Sequence, residues 1–91
     1  MNIKTLSDFR AAIRSGPYAW PGGYPLYFIT NDGAALSFEA ARENVRQIIW
    51  SIANNARDGW RVVGCEVNWE DDGLLCDHTF QPIPCAYGEE D

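Results

Sequence analysis

Ninety-one residues form a single domain, within the usual range of roughly 50 to 250. A hydrophobic fraction of 46% with 13% aromatics supplies one core and argues against general disorder. The formal charge of −6 is unevenly placed: residues 1–55 balance at +1, whereas residues 56–91 carry two basic and nine acidic side chains. Beyond Arg61 there is no Lys or Arg, while Glu66, Glu70, Asp71, Asp72, Asp77, Glu89, Glu90 and Asp91 follow. Such a field repels phosphates, excludes nucleic-acid binding through a basic footprint and suits a basic partner surface. No apolar run approaches the roughly 20 residues of a membrane span, and residues 1–10 lack the apolar stretch of a signal peptide, so the expected compartment is the cytoplasm, with thiols reduced.

Residues 5–15 are expected to form an amphipathic helix. Leu6, Phe9 and Ile13 share a face, Thr5 or Ser7 caps the start, and Gly16-Pro17 stops it. The segment 17–25 (PYAWPGGYP) is too rich in Pro and Gly for a helix or a central strand. Its aromatics have two readings, a lid folded over the core or an exposed recognition surface. Leu26–Thr30 reads as a strand, Asn31-Asp32-Gly33 as a turn, and Ala34–Phe38 as a short return strand.

A second helix follows, capped by Ser37, with Phe38, Ala41, Val45, Ile48, Ile49 and Ile52 on its apolar stripe. Trp50 lies off that stripe, and Asn54 or Asn55 ends the helix. Residues 60–69 read as a long strand with Arg61, Val63, Cys65, Val67 and Trp69 toward the core. Glu70–Gly73 is a turn, Leu74–Cys76 a short strand, and 77–91 irregular. The expected architecture is therefore α+β, a small antiparallel sheet packed against two helices in the order α-β-β-α-β-β. Residues 1–88 form the domain and 89–91 an acidic frayed tail.

Catalytic machinery is not recognisable. The one histidine, His78, lies two residues from Cys76, but nothing identifiable orients it and no oxyanion donor is evident. Glu70, Asp71 and Asp72 in a turn read as solvated carboxylates, so no enzyme and no cofactor is expected. Cys76, His78 and Cys85 are candidate zinc ligands, short of the four that a structural site needs.

The segments WPGGYPLYF (20–28), WRVVG (60–64), VNWED (67–71) and CDH (76–78) with Ala86-Tyr87 resemble a family of small bacteriophage and plasmid proteins with no assigned activity. The resemblance spans about residues 18–88. It implies that relatives carry a CxxC pair where this chain has Ser37 and Ala40, and another where it has Cys76 and Thr79, in the manner of a zinc ribbon. On that comparison this chain has kept Cys76 alone and replaced the metal with packing.

Two functional classes follow. The first is an acidic, phage- or mobile-element-encoded interaction module that inhibits host nucleic-acid-binding or defence machinery, anti-CRISPR proteins included. Glu66, Glu70, Asp71, Asp72 and Asp77 would meet a basic host protein, joined by Trp20 and Tyr24, without direct nucleic-acid or membrane contact. The second is a degenerate zinc-binding module, structural or touching nucleic acid through Arg10, Arg14, Arg42 and Arg46. Monomer and homodimer both remain open.

Overall fold

A computed structural model describes residues 2–19, 22–69 and 73–85. The expected class is what the chain adopts: a small antiparallel sheet with helices packed on it. Helix α1 spans Leu6–Ser15 and opens on a reciprocal cap. The Thr5 hydroxyl oxygen accepts the Asp8 N–H at 3.1 Å, and the Asp8 carboxylate accepts the Thr5 N–H at 3.2 Å. Gly16, at φ 92°, ends the helix in a conformation that a side chain would strain. Phe9 and Ala12 are its buried residues, with Ile13 packed at the core margin.

Strand β1 is Tyr18–Ala19 and β2 is Tyr24–Thr30, so the Pro- and Gly-rich segment is a hairpin rather than irregular chain. Gly22, at φ 110°, makes the turn possible, because a Cβ there would lie 2.6 Å from the Tyr24 ring. Pro25 is tolerated inside β2 because it stands where the β4 ladder ends. It lies past the last β4 pair, Leu26↔Val67, and its carbonyl accepts the Asn68 N–H at 3.0 Å. Strand β3, Ala35–Leu36, returns from the Asp32-Gly33 turn. The Leu26 N–H bonds to Pro17 and the Thr30 N–H to Ala34, so β1 and β3 share one edge of β2. Strand β4, Val62–Val67, runs along the other edge.

The second helix is two. Helix α2, Phe38–Glu43, is capped by the Ser37 hydroxyl, which accepts the Ala40 N–H at 3.1 Å; α3 is Val45–Ala53. The break falls at Asn44, whose side-chain amide donates to the Ala40 carbonyl that its own backbone N–H also uses. Trp50 is exposed, and Asn54 closes α3.

In β4 the core face differs from the alternating expectation. Ile29 pairs with Gly64 but Thr30 with Val62, which leaves Val63 as a bulge. One extra residue reverses the side-chain alternation, so Cys65 and Val62 both face inward and Val63 does not. Arg61 is turned aside as well, its Nε donating to the Ala56 carbonyl at 2.7 Å.

The strand expected at Leu74–Cys76 does not join the sheet. Instead residues 74–83 fold on themselves through an isolated Leu75↔Pro82 bridge, tied to β3 by the Asp77 N–H to Ala35 at 2.8 Å. The N–H groups of Cys76, Phe80 and Ile83 are satisfied within the segment, so it does not extend the ladder. The Glu70–Gly73 turn, apart from Gly73, and the tail 89–91 lie outside the described residues. The observed order is α1-β1-β2-β3-α2-α3-β4. At the centre Phe28 stacks on Phe38 of α2 at 4.4 Å and meets Phe9 of α1 at 5.5 Å, so both helices cover the same face.

Candidate functional site

Of the seven partner-contact residues expected from sequence, Trp20, Glu70, Asp71 and Asp72 lie outside the described residues. Glu66 is exposed on β4 opposite Tyr27. Its parity sets it on the face away from Phe28 and the helices. Tyr24 has the other parity, and its half-buried ring packs against Trp69 at 4.8 Å. Asp77 is exposed in the turn that follows Cys76. The acidic and aromatic contributions from β2 and β4 thus point to opposite faces of the sheet.

The arrangement richest in chemistry surrounds Cys76. Its side chain is fully buried, and its sulfur accepts the Ser37 N–H at 3.4 Å. Burial alone pushes a thiol up, yet the Ser37 N–H, the Thr79 hydroxyl and N–H and the His78 N–H more than offset it, bringing Cys76 down to about 7. At Cys65, by contrast, burial prevails and raises the thiol to about 11. The same turn bonds the Phe80 N–H to the Cys76 carbonyl at 2.8 Å. It delivers Phe80 at φ 59°, a region that bulky residues rarely enter, with 71% of the residue exposed. Leu75, half exposed, lies in the same hairpin. Nothing in the sequence marks Phe80, because left-handed turn positions ordinarily read as Gly or Asn.

The candidate zinc ligands do not converge. The Cys76 sulfur is turned to Ser37, the His78 ring stands edge-on to Trp60 at 5.2 Å, and Cys85 is half-buried. Among the described residues no three of His, Cys, Asp and Glu are grouped to hold a metal ion. What does converge is a set of hydrogen-bond donors around Cys76. Ser37 and Thr79 both donate to Cys76, and Ala40 donates its N–H to the Ser37 hydroxyl.

Of the four candidate basic residues, Arg10 and Arg14 lie on α1, Arg42 on α2 and Arg46 on α3. Arg42 is drawn over the Phe38 ring, 6.0 Å from its centre. A cleft of about 520 Å³ separates α2 from the C-terminal hairpin, lined by Ser37, Phe38, Arg42, Thr79 and Ile83 among others. Among the described residues no helix is long and apolar enough to cross a membrane. Comparison with protein-family models, curated proteins and solved structures gives no match.

Proposed function

We propose that this chain is an acidic protein-interaction module that docks on the basic surface of a host protein, with inhibition of nucleic-acid-binding or defence machinery as its role. The observation that carries the reading is the separation of charge. Every charged side chain after Arg61 is acidic, and Glu66 and Asp77 are held exposed by β4 and the Cys76 turn. Carboxylates without intervening cations suit a phosphate-binding groove, because they present the same sign of field as the phosphates they displace. Charge reversal tests it: Glu66→Lys with Asp77→Lys, and separately Glu70, Asp71 and Asp72 to Lys, should abolish a salt-sensitive complex isolated from host lysate. A complex that survives both sets of reversals refutes the electrostatic reading.

The contact between the Ser37 N–H and the Cys76 sulfur supports a second reading, descent from a zinc-stabilised domain. The donors now present do not suit zinc, since positions 37, 40 and 79 offer a hydroxyl, a methyl and a hydroxyl beside one thiol. Placing Cys at Ser37, Ala40 and Thr79 together should create a site that binds one Co²⁺ with the absorption of tetrahedral thiolate. Absence of that absorption would remove the support for this descent.

A further inference from the structure

The acidic surface explains attraction to a basic partner but leaves Phe80 unexplained. Its ring is the most exposed large hydrophobic side chain among the described residues, and its backbone occupies the left-handed region. A residue that buries so little and strains its own backbone is a poor choice for stability alone. Asn or Gly would fit the same turn better, and strain of this kind concentrates where a side chain must be presented to something else. The presentation is also firm. The Phe80 N–H is bonded to the Cys76 carbonyl, Cys76 is buried beneath, and the sulfur's hydrogen bonds hold the intervening His78 and Thr79.

We propose that Phe80, exposed in the same hairpin as Leu75, is the apolar anchor of the docking surface. Its occupant is a protein site in which an apolar pocket is rimmed by Lys or Arg. The chemistry of the rim follows from the surroundings: Asp77 shares the turn, and across the cleft from the hairpin α2 contributes Glu39 and Glu43 beside the single cation Arg42, so carboxylates outnumber cations around the anchor. The same acidity disfavours a second copy of this chain as the occupant, since it would set like charges against each other. A buried aromatic anchor within a polar rim is the usual energetic plan of such contacts. This inference rests on the interaction reading above and adds the residue on which affinity depends.

The test uses a random-peptide display library panned on the intact protein, with affinities then measured against wild type, Phe80→Asn and Trp50→Ala. Asn accepts the left-handed backbone, so the first variant keeps the turn, and circular dichroism and a thermal melt verify that it folds. Trp50 is the control, an exposed aromatic on α3. The expected result is enrichment of peptides with Lys or Arg flanking apolar residues. These should bind Phe80→Asn about tenfold or more weakly than wild type, with Trp50→Ala unchanged. Basic peptides that bind Phe80→Asn as well as wild type would overturn the anchor while leaving the interaction reading intact. Enrichment without basic residues, or no enrichment, would overturn both.

Discussion

The Cys76 environment makes stability depend on pH in a direction that burial alone would reverse. With the folded thiol near 7 and the unfolded thiol near its ordinary value of about 9, the folded state binds the thiolate's proton less tightly. The contribution is therefore absent below about pH 6, grows as the pH rises through the folded value, and levels off above the unfolded one. Integrating between those two values gives about 1 kcal/mol at pH 8 and about 2 kcal/mol at pH 9. These are ceilings, because His78 and Phe80 are exposed and water near the turn weakens the field. Urea denaturation of wild type and Cys76→Ser at about pH 6 and about pH 9 isolates the contribution, since the serine cannot ionise and every other group is shared. Wild type should gain on Cys76→Ser between the two pH values by up to that amount. A constant difference would mean that the hydrogen bonds do not lower the thiol. A difference that moves against wild type at high pH would mean that burial prevails and that the donors of Ser37, His78 and Thr79 are not aimed at the sulfur.

Two further outcomes test the fold. Phe80→Asn should raise stability by about 1 kcal/mol, because Asn tolerates the left-handed region that costs a bulky side chain roughly 1–2 kcal/mol; unchanged or lower stability in urea would show that the Phe80 ring is packed. Ile48, fully buried on α3, should cost about 2–5 kcal/mol when cut to Ala, read as a drop in the urea midpoint at constant slope.

What could be read from the sequence was local, and what could not was relational. Thr5 and Asp8, Ser37 and Ala40, Gly16 and the Asp32-Gly33 turn act over three or four residues, so their caps and turns follow from spacing alone. The Val63 bulge does not, since it exists only in the pairing of β4 with Thr30 and Ile29, and an alternating pattern across residues 61–69 fits either register. The hairpin at Tyr18–Pro25 was hidden for a related reason. Pro25 looks forbidden in a central strand until the structure shows that it stands just past the β4 ladder, where its carbonyl accepts from Asn68. The break at Asn44 depends on a side chain competing for one carbonyl within an otherwise helical pattern.

The same distinction separates the two halves of the candidate site. Its acidity is additive and visible residue by residue. The anchor and the lowered thiol are products of one turn, in which Ser37, thirty-nine residues away in sequence, supplies a donor that no local window contains. Backbone donors carry no sequence signature, so three of the four groups that stabilise the Cys76 thiolate would be unchanged by almost any substitution at their own positions. Only the Thr79 hydroxyl is written in the side chains. A thiol and a threonine three residues apart are too common to single out, whereas folding them against the Ser37 amide defines both the charge of the sulfur and the direction in which Phe80 leaves the turn.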